Sequence, residues 1–213
     1  MSCAFELAHY GELLEAARTG GYRFATFEEL PEPGLLFVRH DVDLSLAAAV
    51  TMAEVEAELG ARSTYLLMTE SVFYNLTSAE GTATLERLRA LGHRIGLHAV
   101  HPNAELDNRF DPVVAWHNPK PEYMSEPIAG VVNTYAQPYF APATYRSDSN
   151  QRWRFGCPHE ELRAGAFPWL QLLVHPEIWV YPGATMGQTM GAMLDAERER
   201  RLVQLADDGV ELA

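Results

Sequence analysis

The chain has 213 residues, of which 47% are hydrophobic and 21% are charged, as is typical of one soluble globular domain spanning residues 1–213. The formal net charge of −13 disfavours nucleic acid and anionic membranes as partners, because like charges repel. Two cysteines are too few for a disulfide scaffold. The N-terminus lacks the pattern of a signal peptide and no apolar run approaches the length of a membrane span, so we expect a cytoplasmic protein.

Helices and strands alternate in the first half of the chain. Apolar residues recur at helical spacing over residues 5–18, 46–59 and 85–91, each followed closely by glycine, and Ser45 is a suitable N-cap for the second helix. Short strands are predicted over residues 22–27, 35–42, 63–68 and 95–98. The strand, helix, strand order predicts parallel strands, which deliver their carboxyl-terminal residues to one edge of a sheet. Ligands of α/β proteins gather at that edge.

The second half of the chain is less regular. Strands are predicted over residues 113–117, 131–134 and 169–175, and a helix over residues 185–207. Residues 145–153 form a dense polar run flanked by aromatic residues. No internal repeat and no shift in composition indicates a second domain.

Four predicted strand ends carry residues that bind metals in other proteins: Asp41 with Asp43, His98, His117 and His175. Any one of them alone could be a solvated turn or a hydrogen-bonded structural histidine. Together they favour a catalytic metal site, which needs about three protein ligands and an open position for water. One carboxylate and two histidines supply the ligands, and the remaining aspartate and histidine supply a base and an acid. This composition is typical of metal-assisted hydrolysis.

Several short motifs extend this pattern. They are Arg39 to Asp43, Ala49 to Gly60, Thr64-Tyr65, Tyr74-Asn75, Gly92 to His98, Trp116 to Pro119, Tyr145 to Asn150 and Leu172 to Trp179. In this order, over about residues 10–180, the chain resembles the polysaccharide deacetylase superfamily, carbohydrate esterase family 4, and more closely a divergent branch of it. The resemblance implies a distorted (β/α) barrel with fewer than eight parallel strands, a divalent cation, and hydrolysis of an N-acetyl group or a similar amide.

The resemblance also implies roles for single residues. Asp41 takes the place of the catalytic base, Asp43 of the metal carboxylate, His98 of a metal histidine and His175 of the general acid. The superfamily's usual second motif is His-x-x-x-His, and this chain departs from it because position 102 is proline.

Two assignments therefore stay open. We prefer His117 as the third metal ligand, with His101 as the alternative. The arginine that supports the base is either Arg39 or Arg146. The stretch between His98 and His117 is short for a helical crossover, so we expect a reduced structure on that side.

The polar run that contains Arg146 and Asp148 is expected to orient the site or to bind substrate, and Tyr74 and Asn75 are further candidates for substrate binding. The other histidines are assigned structural roles: His9, His40, His93 and His159. Strand alternation places His40 on the opposite face from Asp41.

The sequence as a whole predicts a metal-dependent deacetylase that acts on an N-acylated sugar or a sugar-containing small molecule. Zn²⁺ is the expected cofactor, since it accepts mixed histidine and carboxylate ligands. Fold alone does not establish function. One alternative is therefore a metal-binding or carbohydrate-binding protein without hydrolytic activity, and another is a different metal-dependent carbon–nitrogen hydrolase. A purely structural acidic protein is a third. The sequence does not indicate an oligomeric state.

Overall fold

The computed structural model describes residues 4–102 and 105–211. Within these ranges the chain forms one parallel sheet whose strands are β1 (Arg23–Ala25), β2 (Leu35–Val42), β3 (Thr64–Leu67), β4 (Arg94–Ala99), β5 (Val113–Trp116), β6 (Val132–Asn133), β7 (Tyr145–Ser147) and β8 (Leu170–Val174). The α-helices are α1 (Leu7–Thr19), α2 (Leu46–Glu58), α3 (Ala79–Ala90), α4 (His159–Arg163), α5 (Pro176–Val180) and α6 (Met186–Asp207).

Seven strands follow one another across the sheet in the order β6-β5-β4-β3-β2-β8-β7. The remaining strand, β1, pairs with the first part of β2, while β3 pairs with its second part. The sheet curls into a half-barrel flanked by helices. This confirms the predicted distorted barrel with fewer than eight strands in its wall.

Strand β2 lies at the centre of the sheet, and all eight of its residues are buried. Leu36 and Val38 pack in the apolar cluster that contains α1 and β8 residues, whereas Phe37 packs inside the curl with Phe27 and Leu66. Because successive side chains of a strand point to opposite faces, Arg39 and Asp41 follow Phe37 to the inner face. His40 points outward, as predicted.

The α2 helix is fastened to the outer face of the sheet by polar contacts. Its N-cap is Ser45, whose hydroxyl accepts a hydrogen bond from the Ala48 amide over 3.1 Å, which confirms the predicted cap. Further along the helix, fully buried Glu56 meets His40 Nε2 at 2.6 Å. Its other carboxylate oxygen accepts hydrogen bonds from Ser63 at 2.6 Å and Tyr65 at 2.8 Å. A buried carboxylate, that of Glu56, therefore joins α2 to the outer face of the sheet.

The inner face is crowded near β4. A Cβ added to Gly96 would lie 2.7 Å from the carbonyl oxygen of Val113 on the neighbouring strand. Glycine at this position therefore permits the close approach of β4 and β5. The connection between these strands contains no helix in its described residues, 100–102 and 105–112, which agrees with the expected reduction on this side.

Among the residues that the structure describes, no helix combines the length and the apolar character needed to cross a membrane.

Candidate metal centre

The inner carboxyl-terminal edge of the sheet brings together Asp43, His98 and His117. Asp43 follows the end of β2, His98 lies near the end of β4 and His117 follows β5. Oδ1 of Asp43 lies 3.0 Å from Nε2 of His98 and 3.2 Å from Nδ1 of His117, and the two ring nitrogens are 3.2 Å apart. Each residue offers one ligand atom, and these atoms lie within 4.8 Å of one another. The three residues form a candidate metal-binding group.

The charges in this group suit a cation. Burial disfavours the charged form of Asp43, but hydrogen bonds from His117 and His98 hold the pKa of its carboxyl well below the usual range. The bond to Asp43 in turn raises the pKa of His117. A carboxylate and two imidazole nitrogens are a donor set that Zn²⁺ accepts, and a bound cation would replace the protons that now bridge them. The residues therefore fit a divalent metal.

The two histidines differ in how their second ring nitrogen is held. Nε2 of His117 lies 3.0 Å from the side-chain nitrogen of Asn118, which fixes that ring. Nδ1 of His98 is buried and has no hydrogen-bond partner among the described residues. Metal-binding histidines usually have such a partner at the second nitrogen, so the His98 ring is held by its packing and by the contacts of Nε2 with Asp43 and His117.

Asp41 lies next to this group and is held by Arg39. Two hydrogen bonds join them, from Arg39 Nε at 2.7 Å and from Nη2 at 2.6 Å. Arg39 is itself fixed by Gln171 at 3.2 Å and Tyr135 at 3.0 Å. Burial opposes ionisation of Asp41, but the guanidinium of Arg39 keeps the pKa of this carboxyl below its usual value. Asp41 is thus a charged carboxylate, 3.7 Å from Nε2 of His98.

His175 follows β8, the strand that pairs with β2. Its Nε2 is 3.9 Å from Asp43, and its Nδ1 is 2.6 Å from the buried carboxylate of Asp148. Asp148 also accepts hydrogen bonds from the His175 amide at 2.9 Å and from Trp179 Nε1 at 2.7 Å. Burial would lower the pKa of His175, but Asp148 outweighs it and raises that pKa to about 10. The imidazole is therefore protonated at neutral pH.

The structure shows where the residues of the two open assignments lie, the third metal ligand and the arginine beside the base. His117 lies in the metal group, whereas His101 is about half exposed and pairs with Glu70 at 3.1 Å. Arg39, and not Arg146, contacts Asp41.

The four residues predicted to bind substrate occupy different environments. The Tyr74 hydroxyl donates to the Val42 carbonyl at 2.6 Å, close to the metal group. Asn75 accepts from Thr77 at 2.9 Å in the turn before α3. Asp148 positions His175, and Arg146 donates to Glu161 at 3.1 Å.

A buried carboxyl group, Glu177, was not singled out from the sequence. It is 1% exposed, and its Oε2 has no hydrogen-bond partner among the described residues. Burial raises the pKa of Glu177 to about 8, with Asp43 adding to the effect and His175 opposing it. The group is thus largely uncharged at neutral pH. It lies within the motif Leu172 to Trp179, two residues after His175, and this is the sequence signal that could have indicated it.

Fold and site together define a parallel α/β half-barrel with a candidate metal-binding group at its carboxyl-terminal edge. Comparisons with protein-family models, curated proteins and solved structures found no match. The resemblance to polysaccharide deacetylases therefore rests on the sequence motifs.

Proposed function

We propose that the protein is a metal-dependent hydrolase that removes an acetyl or similar acyl group from an N-acylated sugar or a sugar-containing small molecule. One observation carries the proposal. A charged carboxylate, Asp41, and a protonated imidazole, His175, each lie within 4 Å of a residue of the candidate metal-binding group, at 3.7 Å from His98 and 3.9 Å from Asp43 respectively. Amide hydrolysis needs a base for water and an acid for the leaving amine, and these two residues are in the charge states that those roles require.

The roles follow from the contacts. Asp43, His98 and His117 would hold the cation, with Zn²⁺ expected from the donor set. When bound, a divalent cation acidifies water and polarises the acyl oxygen. Asp41 accepts the proton of the attacking water, and His175 donates its Nε2 proton to the leaving nitrogen. Arg39 and Asp148 orient these two side chains and keep each in its working charge state.

The sugar part of the proposal depends on the motifs shared with polysaccharide deacetylases. Of the predicted substrate contacts, Tyr74 lies near the metal group, and the ring hydroxyl is fixed by Val42 and Met68. Tyr74, Asn75 and Arg146 remain predictions as substrate-binding residues, whereas we assign Asp148 to positioning.

The test is acetate release from a panel of N-acetylated sugars by protein loaded with Zn²⁺. We expect release by the wild type and a kcat lower by roughly 10²–10⁴-fold for Asp41→Asn, because the base is lost. Asp195→Asn, an exposed aspartate of α6, is the matched control and should keep wild-type activity. Full activity of Asp41→Asn would show that the proposed base is wrong.

A binding protein without hydrolytic activity is the second candidate. Arg39 donates hydrogen bonds to both carboxylate oxygens of Asp41, and this favours the second candidate. A base needs one carboxylate oxygen free of such a bond in order to accept a proton. Stoichiometric Zn²⁺ binding without acyl release from any member of the panel would support this alternative.

A further inference from the structure

A pocket of about 170 Å³ on β7 and the segment that follows it gathers three arginines, although the chain carries a net charge of −13. Its polar lining consists mainly of Arg146, Arg152, Arg154, Ser147, Ser149 and Asn150. None of the described residues that line it is acidic. A local excess of positive charge in an acidic protein attracts anions and steers them to that place.

Two of these arginines are uncommitted. Most arginines of the chain pair with a carboxylate: Arg23, Arg39, Arg87, Arg94, Arg109, Arg146, Arg198, Arg200 and Arg201. Arg152 and Arg154 are exposed, and no carboxylate in the described part of the chain lies within 4.0 Å of either. Their guanidinium groups are therefore available to a ligand.

The third arginine forms a fixed wall of the pocket. Arg146 is only 11% exposed, its guanidinium lies between the rings of Phe155 at 5.2 Å and Phe167 at 4.6 Å, and Glu161 holds one of its nitrogens. Its Nε is buried and has no partner within the described ranges. Phe155 is 62% exposed and also lines the pocket, so it offers an apolar surface beside the charges.

The pocket is built on the strand next to the one that ends at the proposed acid, His175. It begins on β7, the neighbour of β8, and Ser147 and Ser149 stand on either side of Asp148, which holds His175. Tyr145, which also lines the pocket, lies 6.4 Å from the ring of Tyr135, the tyrosine that bonds to Arg39. The pocket therefore lies close to Asp148 and to Tyr135, which contact His175 and Arg39 respectively.

We propose that this pocket binds the phosphate of the substrate, so that the substrate is an N-acylated sugar phosphate. Guanidinium groups bind phosphate through paired, charge-assisted hydrogen bonds, and a phosphate dianion matches two uncommitted arginines better than a carboxylate does. The hydroxyls of Ser147 and Ser149 bond to each other at 2.6 Å, which leaves one hydroxyl proton for the ligand, and the ring of Phe155 can pack against the sugar. The sugar and the acyl group rest on the proposed function, whereas phosphate binding rests on the pocket itself.

The test is a titration with inorganic phosphate of protein from which metal has been removed by a chelator. Calorimetry and amide NMR shifts measure the binding. We expect saturable binding, shifts concentrated at residues 145–155, and an affinity at least roughly tenfold weaker in the Arg152→Gln/Arg154→Gln variant. The control variant Arg62→Gln/Arg198→Gln removes the same charge from exposed positions outside the pocket and should bind like the wild type. Acetate, the carboxylate probe, should bind more weakly than phosphate.

Three outcomes would overturn the phosphate pocket: no saturable binding to the wild type, equal affinity in the Arg152→Gln/Arg154→Gln variant, or acetate binding as tightly as phosphate. Because the titration involves no turnover, it is independent of hydrolysis. Phosphate binding with no acyl release from any sugar would retain the pocket and contradict the deacetylase. Acyl release without phosphate binding would retain the deacetylase and contradict the phosphate pocket.

Discussion

Single side chains hold Asp41 and His175, the two proposed proton-transfer residues, in opposite charge states. Arg39 contributes positive charge to buried Asp41, and Asp148 contributes negative charge to His175. In each case burial opposes the charged form and one neighbour outweighs it. Removing Arg39 should therefore cost more than one hydrogen bond, because the carboxylate of Asp41 would stay buried without its partner.

The pair of Arg39 and Asp41 can be tested by a mutant cycle. We expect Arg39→Met to lower the free energy of unfolding by about 3–5 kcal/mol, since the carboxylate of Asp41 is left buried and unpaired. The double variant Arg39→Met/Asp41→Leu removes both charges and should be more stable than Arg39→Met alone. Urea unfolding measures both values. A double variant less stable than Arg39→Met would contradict this account of the pair.

Asp148 is expected to act through His175. In Asp148→Asn the side chain keeps its size but loses the charge that holds the His175 imidazole protonated. We expect kcat to fall by roughly 10²-fold or more, with Zn²⁺ stoichiometry unchanged because Asp148 is outside the metal group. Acetate release and metal analysis give the two readouts. Unchanged kcat, or loss of metal together with activity, would show that Asp148 does not work by positioning the acid.

At the scale of elements, strand alternation explains how much of the site could be predicted. Asp41 and Asp43 share a face because they are two residues apart, and His40 between them must face the helices. His98 and His117 end neighbouring parallel strands, β4 and β5, so their approach follows from the order of the strands. The core of the candidate metal centre was therefore accessible from the periodicity and topology of the chain.

Other side chains depend on packing that periodicity does not reveal. The alternation of side chains along β7 directs Arg146 away from the candidate metal centre. It donates to Glu161 of α4, a helix too short to be recognised from the sequence. Asn75 is engaged in the turn before α3. Glu177 is the second residue of a five-residue helix after β8, and nothing in its immediate sequence distinguishes a buried carboxyl from an exposed one. These positions required the three-dimensional arrangement.

The buried carboxylate of Glu56 connects α2 to the sheet and should make stability depend on pH. Burial opposes its charge, but His40 and other donors lower its pKa from 4.5 to about 2. The unfolded chain therefore binds more protons between these values, so the stabilisation present above pH 4.5 is lost as the pH falls toward 2. The shift corresponds to stabilisation on the order of 3 kcal/mol.

Urea midpoints measured between pH 5 and pH 3 test this linkage, roughly within the window where the carboxyl titrates in the unfolded chain. Glu56→Gln should be less stable than the wild type at pH 5 and should lose less stability on acidification. Glu54→Gln is the control, since Glu54 lies on the same helix but pairs with Arg87 at the surface. Equal acid sensitivity of Glu56→Gln and the wild type would show that Glu56 does not carry this linkage.

At the scale of the whole molecule, the metal group joins segments that are far apart in the chain. Asp43, His98 and His117 follow or end β2, β4 and β5, and the β4–β5 connection has no helix in its described residues to brace it. An unfolded chain does not keep these three ligands together. A cation that binds only the folded form stabilises it by an amount set by its concentration relative to Kd.

We therefore expect Zn²⁺ at about 100 times its Kd to raise the free energy of unfolding by about 2.7 kcal/mol. His117→Ala removes one of the three ligands and should abolish most of this gain, measured as the change in urea midpoint on adding Zn²⁺ to metal-free protein. His101→Ala is the matched control, because His101 pairs with Glu70 outside the metal group and should leave the gain intact. The opposite pattern, with the gain kept in His117→Ala and lost in His101→Ala, would transfer the third ligand to His101. The closeness of His117 to Asp43 would then be a hydrogen bond within the fold and no part of a metal site.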